Sequence, residues 1–426
     1  MLWCTGLQTR SIIADVSRSS VSVGFSVLVA MAVVVAVRAQ QPPAASAWAP
    51  AVEVVVAPAG ANTVEPQLTG SGGRTILSWL ELQGVHTTLK FAERTAYGWS
   101  DTRTVASGDD FMVNSADVPS VRLLADGTLA AHWLQQDGPD PESYKLRLVW
   151  SKDAGRSWSA PMNPHHDTVQ TQHGFASLFQ APGAGLGLVW LDGRAINPDA
   201  PEGAGNMALR ASIFGADGRQ QGEAVVDARV CECCPTASAA TSEGEIVAYR
   251  NRSAGEIRDI YVTRLTAGRW TTPVAVHNDG WKITGCPVNG PAISARNRDV
   301  VVAWFNAKGD MGHAFVAFSH DAGRTFRPPV RIDEASALGR VGVELLPDGS
   351  AIATWLEFGN PNSQFRARRI DAAGTVGPAV RVADATGTRY PRVAQTANEL
   401  LFAWTDTENG VPRVRTARSA LPPAGR

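Results

Sequence analysis

The sequence shows no excess of either charge, because 39 lysine and arginine residues stand against 40 aspartate and glutamate residues. A formal net charge of −1 excludes a general attraction to nucleic acid or to an anionic membrane. Cysteine is scarce, at five residues. Only Val21–Val37 approaches the length of an apolar membrane span, and no stretch repeats its apolar residues with a helical period. Charge and composition therefore imply no general binding to nucleic acid or to an anionic membrane, and no helical pattern competes with β-strands.

The apolar run near the N terminus predicts export. Arginines precede Val21–Val37 and small residues follow it, as in a secretory signal peptide. We expect residues 1–39 to be a signal peptide cleaved after Ala39, and the mature protein to be periplasmic or secreted. The long stretch before the run suggests a later start codon. A retained membrane anchor is the alternative interpretation, and only that anchor would bring the protein to a membrane. Residues 40–50 form a Pro/Ala-rich linker with nothing to bury.

A repeat of roughly 50 residues runs through the rest of the chain. Each unit has a short first strand, often opened by proline, and a second strand that ends in small residues and an aromatic side chain. The aromatic residues at these strand ends are Trp79, Trp133, Trp190, Tyr249, Trp304, Trp355 and Trp404. Four strands per unit around an axis are typical of a β-propeller. The sequence therefore predicts an all-β, seven-bladed β-propeller over residues 51–420.

The last unit lacks an outer strand, because it stops after its third strand, Arg413–Ala417. Ala51–Ala57 precedes the first unit and has no other place to pair. We expect this N-terminal strand to close the ring as the outer strand of the seventh blade, which removes an exposed sheet edge.

Two turns share the pattern Ser-x-Asp-x-Gly-x-x-aromatic, at Ser151–Trp158 and Ser319–Phe326. The aspartate can accept bonds from backbone N–H groups, the glycine supplies a positive φ, and the aromatic ring covers the hairpin. In these turns the chain resembles the sialidase-like, neuraminidase-type β-propellers, whose blades carry such Asp boxes, or BNR repeats. Catalytic members of that family have six blades, so a six-bladed ring is the alternative architecture.

The resemblance implies an exo-α-sialidase type of glycoside hydrolase. Such enzymes use a tyrosine nucleophile helped by a glutamate, an aspartate as acid/base, and three arginines that hold the substrate carboxylate. At matching positions of this chain, Tyr390 would be the nucleophile and Glu344 its base. Arg340, Arg392 and Arg250 would hold the acid group of the substrate.

The first two blades match the family less completely. Asp110, or its neighbour Asp109, is the acid/base candidate by position alone. The segment Val64-Glu65-Pro66 stands where the family has an arginine two residues before a proline. The catalytic set implied by the resemblance is therefore incomplete.

Arginines also follow the second strands of the third and fourth blades, at the predicted channel mouth. Arg194 and Arg250 could grip a carboxylate through paired N–H donors, with Asp192 beside them. We therefore include Asp192, Arg194 and Arg250 among the substrate-binding candidates. Pairing with neighbouring acids of the rim is the alternative for Arg194 and for Arg252.

Cleavage of the signal peptide would leave four cysteines in two equivalent loops. Cys231, Cys233 and Cys234 enter the fourth blade, and Cys286 enters the fifth. In an oxidising compartment a Cys231–Cys286 disulfide would join the two blades.

The alternative interpretation is a metal site. Thiolates combined with an imidazole suit zinc or copper. The candidate ligands are Cys231, Cys233, Cys234, Cys286 and one histidine of the third blade, either His173, His165 or His166.

Two functions of different classes follow from these observations. The first is an exported sialidase-like propeller that binds or hydrolyses acidic glycans or glycoconjugates. The second is a periplasmic metal-binding or redox propeller that uses the cysteines. A scaffold for interactions, with the cysteines as a structural link, is a third possibility.

Overall fold

The structure, a computed structural model, describes residues 48, 50–183, 185–196, 206–385, 387 and 389–422. Within these ranges the chain is all-β and forms seven antiparallel sheets. The described part of the chain contains no helix of a length and apolarity that could cross a membrane. The predicted signal peptide and most of the predicted linker lie outside the described residues.

Each sheet is one blade, and the strands are numbered in chain order. The first strand is β1 (Glu53–Val55). Blade 1 contains β2 (Thr63–Ser71), β3 (Arg74–Gln83), β4 (His86–Thr95), β5 (Gly98–Trp99) and β6 (Arg103–Gly108). Blade 2 contains β7 (Ser120–Leu123), β8 (Leu129–Gln136) and β9 (Tyr144–Ser151). Blade 3 contains β10 (His173–Ala181), β11 (Gly185–Asp192), β12 (Ala208–Phe214) and β13 (Gln220–Asp227).

The remaining blades follow the same order. Blade 4 contains β14 (Ala237–Thr241), β15 (Gly244–Arg250), β16 (Ile260–Thr266), β17 (Arg269–Trp270) and β18 (Val274–Ala275). Blade 5 contains β19 (Ala292–Arg296), β20 (Asp299–Asn306), β21 (His313–Ser319) and β22 (Val330–Arg331). Blade 6 contains β23 (Ala337–Leu345), β24 (Ala351–Glu357), β25 (Gln364–Ile370) and β26 (Val380–Asp384). Blade 7 contains β27 (Arg392–Gln395), β28 (Glu399–Glu408), β29 (Val411–Ala420) and β1.

The blades close into a ring. The innermost strand β2 contacts β7 on one side and β27 on the other, and β1 pairs antiparallel with β29. Both the seven-bladed fold and its closure by an N-terminal strand are therefore confirmed, and the six-bladed alternative is wrong. The innermost strands line a central channel of about 890 Å³. Proline suits the start of these strands, because one edge of each faces the channel and needs no ladder hydrogen bond.

Apolar side chains pack between neighbouring blades. Among the described residues there are seven clusters of buried side chains, one at each interface between adjacent blades. Each cluster contains one of the seven aromatic residues predicted from the repeat, and all seven are buried. Burial of such a side chain stabilises the fold by about 2–3 kcal/mol. The repeat therefore provides every blade with an anchor against its neighbour.

The two Asp boxes form the turns that their sequence predicts. Asp153 Oδ1 accepts the N–H groups of Arg156 and Ser157 at 3.0 and 2.9 Å, and Ser151 Oγ accepts that of Gly155 at 2.7 Å. Gly155 has a φ of 82°. Hydrogen bonds from the Ser157 side chain and backbone hold the pKa of Asp153 well below its usual range. The box around Asp321 has the same bonds.

Two details differ from the predictions. Blade 2 has three strands rather than four, and Met162 replaces an outer strand by a single bridge to Leu148. Pro161 and Pro164 flank this bridge and cannot donate ladder hydrogen bonds, so the bridge does not extend into a strand.

The second difference concerns Trp48, which lies within the predicted linker and is buried against blades 6 and 7. That end of the linker therefore has apolar surface to bury.

Candidate functional site

Three non-glycine residues with positive φ mark one end of the channel. Glu65 (φ 56°), Phe175 (53°) and Arg340 (54°) lie in the innermost strands β2, β10 and β23. Each lies at a β-bulge, where the register with the next strand shifts. A bulge redirects a side chain, and a positive φ in such residues persists only where the surroundings hold it. We call this end, where the innermost strands begin, the channel entrance.

Tyr390 lies at the channel entrance, and its side chain is buried. Its hydroxyl donates to the carbonyl oxygen of Val288 and accepts a 2.6 Å bond from Nη1 of Arg340. The guanidinium carbons of Arg340 and Arg392 lie 4.5 and 5.5 Å from the centre of its ring. Burial, opposed by these positive charges, raises the pKa of Tyr390 to about 12. The structure thus brings three of the predicted site residues together around a protonated phenol.

Two buried carboxyl groups, those of Glu65 and Asp117, lie beside this group. Glu65 Oε2 and Asp117 Oδ1 have no hydrogen-bond partner among the described residues. Burial and the charge of Asp117 raise the pKa of Glu65 to about 8, although Arg392 opposes the shift. Burial raises the pKa of Asp117 to about 7. At neutral pH, Glu65 is therefore mostly uncharged and Asp117 is partly so.

The two entrance arginines lack the ion pairs that other arginines of the chain make. Arg392 Nε donates to the carbonyl of Pro66 at 3.4 Å, and Arg340 bonds to Tyr390. Neither forms an ion pair with a carboxylate of the described residues. A guanidinium presents five N–H donors in a fork that matches two carboxylate oxygens. The channel entrance therefore offers positive charge and donors to an anion from outside.

The other two predicted catalytic residues lie elsewhere. Glu344 lies four residues beyond Arg340 in β23, on the order of 10 Å deeper along an extended strand. Its carboxyl bonds to Ser294 Oγ at 3.4 Å, and burial raises its pKa to about 8. Asp110 is exposed and accepts a 2.5 Å bond from Gln135. The structure does not bring Glu344 or Asp110 to Tyr390.

Asp192 and Arg194, the predicted substrate-binding pair of blade 3, belong to an internal ion-pair network. Asp192 is buried, and its two carboxylate oxygens accept bonds of 2.7 and 2.6 Å from Arg194. Arg194 also pairs with Asp167 at 2.8 Å and with Glu223 at 3.0 Å. The alternative prediction for Arg194, pairing with neighbouring acids, is confirmed.

Arg250 is also directed away from the channel. Its side-chain nitrogens donate to the carbonyl oxygens of Asn289, Arg258 and Phe305 at 2.9, 2.6 and 2.7 Å. Its guanidinium carbon lies 5.1 Å from the ring centre of Trp281, and the side chain is fully buried. Arg250 therefore joins blades 4 and 5, and its predicted contact with substrate is corrected to a structural one.

The four cysteines form one disulfide, which joins Cys233 to Cys286. The predicted Cys231–Cys286 pairing is therefore wrong. The N–H of Cys231 donates to the Arg250 carbonyl at 2.9 Å, which holds Cys231 against blade 4. Cys233, two residues further along the loop, lies within a disulfide's reach of Cys286, with their Cα atoms 6.1 Å apart. A disulfide does join the two blades, through a different cysteine.

Cys231 and Cys234 are free thiols, and both are buried. Their sulfur atoms are 2.9 Å apart. The sulfurs of Cys231, Cys233 and Cys286 all lie within 4.8 Å of one another, a spacing that a metal ion could use. However, two of the three are bonded in the disulfide and are not thiolates. The predicted zinc or copper site, with the four cysteines and a histidine as candidate ligands, is therefore not formed in this state.

Arg258 provides positive charge next to the free thiols. Its Nη1 lies 3.3 Å from Cys231 Sγ and 2.6 Å from Glu232, and its Nη2 donates to Glu256 at 3.1 Å. Glu232 and Glu256 also pair with Arg252, which confirms the alternative prediction for that arginine. The fourth blade thus encloses its cysteines in a network of arginines and glutamates.

The two thiols differ in acidity. Burial acts to raise the pKa of Cys231, but the hydrogen bond from Cys234 and the charges of Arg250 and Arg258 bring it below its usual range. Burial and the neighbouring Cys231 raise the pKa of Cys234. Cys231 is therefore the sulfur that ionises first.

His173 does not join the cysteines. It is buried and stacks on His165 with ring centres 4.0 Å apart, and its Nε2 lies 3.2 Å from Asp167. The donor atoms of His165, Asp167 and His173 lie within 4.8 Å of one another, which is also metal-ligand spacing. Arg194 already supplies positive charge to Asp167 at 2.8 Å. His166 is exposed and bonds to Gln220.

Asn289 is a central residue that the sequence did not single out. It is buried, its Oδ1 accepts the N–H of Arg340 at 2.8 Å, and its carbonyl accepts from Arg250. The neighbouring Gly290 leaves no room for a side chain, because a Cβ there would lie 2.1 Å from the Pro235 carbonyl oxygen. The Asn-Gly-Pro end of this loop was a signal of such close packing.

No protein-family model matches the chain, and no curated protein matches it. Among solved structures, a protein of unknown function from Dyadobacter fermentans has 13% identity and a TM-score of 0.48, over 88% of this chain and 99% of that one. The K499G mutant of the NanB sialidase from Streptococcus pneumoniae has 8% identity and a TM-score of 0.45, over 87% and 94%. The endosialidase of phage phi92 has 9% identity and a TM-score of 0.49, over 88% and 69%. All three have TM-scores below 0.5 and identities of 13% or less, so they carry no conclusion about the chemistry of this chain.

Proposed function

We propose that the channel entrance binds an acidic glycan or glycoconjugate through a carboxylate held by Arg340 and Arg392. The observation that supports this most is the position of the two guanidinium groups beside Tyr390, without ion-pair partners among the described residues. The channel behind them holds about 890 Å³, a size that accommodates small ligands. A charge-assisted, forked contact with a carboxylate is the strongest bond such a site can form.

The nearby carboxyl groups favour an anionic ligand as long as they are protonated. Glu65 and Asp117 have pKa values of about 8 and about 7. Below pH 7 both are mostly uncharged, so they do not compete with the ligand for Arg392. Above pH 8 both are ionised, and the site loses its net positive charge. We therefore expect the affinity for an acidic glycan to fall as pH rises from 6 to 9.

The geometry supports binding better than hydrolysis. Both hydrogen bonds of the Tyr390 hydroxyl are formed with Val288 and Arg340, and neither partner is a base that could take its proton. Glu344 bonds to Ser294 instead. A tyrosine nucleophile needs an adjacent base or a lowered pKa, whereas Tyr390 has a raised one.

Calorimetric titration with a sialylated oligosaccharide and its neutral, desialylated counterpart tests the proposal at pH 6. We expect binding of the acidic sugar alone, and a loss of about tenfold or more in Arg340→Gln or Arg392→Gln. Arg296→Gln is the matched control, because Arg296 lines the opposite end of the same channel. Equal affinity for both sugars, or equal losses in all three variants, would contradict the proposal.

An assay with an aryl sialoside separates binding from hydrolysis. We expect no turnover by the wild-type protein. Turnover that disappears in Tyr390→Phe would assign Tyr390 the role of nucleophile and overturn the binding-only conclusion.

We also propose that the protein is exported, as the N-terminal sequence predicts. The Cys233–Cys286 disulfide supports this, because such bonds persist mainly in oxidising compartments. Fractionation of cells that express the full chain tests it, with the mature mass reporting cleavage after Ala39.

A further inference from the structure

The four cysteines are divided into an inner pair and an outer pair. Cys231 and Cys234 are buried to 0% and 1% exposure, with their sulfurs 2.9 Å apart. Cys286 is exposed and Cys233 is half-buried, and these two form the disulfide. The Cys231 sulfur lies within 4.8 Å of both disulfide sulfurs. A reduced pair therefore lies directly behind an oxidised pair that solvent can reach.

The surroundings of the inner pair favour a thiolate on Cys231. Arg258 is buried and places Nη1 3.3 Å from the Cys231 sulfur. Glu232 and Glu256 hold that guanidinium in place from two sides. A thiolate, not a thiol, is the nucleophile in disulfide exchange, and adjacent arginines stabilise it. A purely structural disulfide has no need of a buried dithiol and a buried cation behind it.

We propose that the cysteine cluster is a thiol–disulfide relay, in which the inner pair passes two electrons to the outer disulfide and thereby to a disulfide-containing partner in solution. In the first step the Cys231 thiolate attacks Sγ of Cys286. A Cys231–Cys286 bond forms, the Cys233–Cys286 bond breaks, and Cys233 leaves as a thiolate that takes a proton.

In the second step the Cys234 thiolate attacks Sγ of Cys231. A Cys231–Cys234 bond forms, and Cys286 leaves as a thiolate that takes a proton. One disulfide and two thiols are present before and after. Two electrons and two protons have moved from the buried pair to the exposed pair. An external disulfide then reoxidises Cys233 and Cys286 and is itself reduced to two thiols.

The test uses the folded wild-type protein and the aromatic disulfide 5,5′-dithiobis(2-nitrobenzoate). Buried thiols do not meet this reagent directly, whereas the outer pair does after the relay has run. We expect the native protein to release two equivalents of thionitrobenzoate and to end with two disulfides, Cys231–Cys234 and Cys233–Cys286. Peptide mapping after acid quenching and alkylation identifies both bonds.

Cys231→Ser is the variant that separates a relay from a structural link. It keeps the outer disulfide and the buried Cys234, and we expect it to release no thionitrobenzoate until it is unfolded. Release by wild type only after unfolding would overturn the proposal. The wild-type result needs no variant, so poor folding of Cys231→Ser would leave the test intact. Purified protein with four reduced cysteines and one bound zinc or copper ion would also overturn it.

Discussion

The Asp boxes and the channel entrance are both rich in polar side chains. The carboxyl groups of the boxes are fully hydrogen-bonded and ionised, whereas those of the entrance are buried and partly unpaired. In the boxes, Asp153 and Asp321 are bonded to groups of their own turn, and their pKa values are lowered. At the entrance, Glu65 and Asp117 are buried with unpaired oxygens, and their pKa values are raised. A turn that satisfies its own polar groups serves the fold. Polar groups held unsatisfied beside unpaired arginines indicate a site for a ligand.

The backbone repeats this contrast. Positive φ in the boxes falls on Ala154, Gly155 and their counterparts, which have small side chains or none. At the entrance it falls on Glu65, Phe175 and Arg340, which have large ones. Strain at bulky residues costs on the order of 1–3 kcal/mol each and persists where the surroundings hold it. The entrance therefore places this conformation on residues with bulky side chains, whereas the boxes place it on alanine and glycine.

We expect the largest loss of stability when Arg250, which joins the loops below the channel entrance, is replaced. Arg250→Met leaves the carbonyls of Asn289, Arg258 and Phe305 without their donor inside the protein. We expect the free energy of unfolding to fall by about 3–5 kcal/mol, because each buried acceptor left without a partner costs about 1–3 kcal/mol; urea denaturation measures the change. Arg296→Met, an exposed arginine of the same channel, should change it little. Equal stabilities of the two variants would contradict the structural assignment of Arg250.

Glu65→Gln should change the free energy of unfolding by a smaller amount, and the size of that change should depend on pH. The folded-state pKa of about 8 lies above the ordinary value of 4.5. The stability linked to this group is therefore present below pH 4.5 and is lost as pH rises to 8. We expect the wild type to lose on the order of 3–4 kcal/mol relative to Glu65→Gln between pH 5 and pH 9. Parallel pH profiles of urea unfolding for the two proteins would show that Glu65 ionises normally.

The smallest effect belongs to the Asp boxes. The pKa of Asp321 is lowered to about 2, so its contribution is present above about pH 4 and is lost as pH falls towards 2. We expect Asp321→Asn to melt at a modestly lower temperature than wild type at pH 7, with the difference vanishing near pH 2. Glycan binding should be unchanged. A loss of binding in this variant would remove the distinction between the two regions.

The sequence predicted the fold because each blade repeats local signals. The seven strand-end aromatics, the two Asp boxes and the unpaired Ala51–Ala57 strand all depend on period and turn chemistry, which a single chain displays. The three-stranded blade 2 could not be predicted in the same way. There the prolines around Met162 prevent an outer strand, although the Asp box before them is intact.

The site was predicted only in part. Tyr390, Arg340 and Arg392 were predicted from the resemblance to sialidases, which implies such residues at the start of the last innermost strands. Glu65 appeared only as a departure from the family pattern, because its burial beside Arg392 depends on a bulge. The structural role of Arg250 and the choice of Cys233 as the partner of Cys286 could not be predicted. Both depend on the direction of side chains within two loops, and neither the repeat period nor the residue type determines that direction.

The central claim is that the channel entrance is an anion site formed by Arg340 and Arg392 and tuned by Glu65. Titration of the sialylated oligosaccharide at pH 6 and pH 9, with wild type and Glu65→Gln, tests it most directly. We predict that wild type binds at least about tenfold more weakly at pH 9, and that Glu65→Gln keeps only the part of that difference that ionisation of Asp117 causes. An affinity that is independent of pH in the wild type, or equally pH-dependent in both proteins, would contradict the claim.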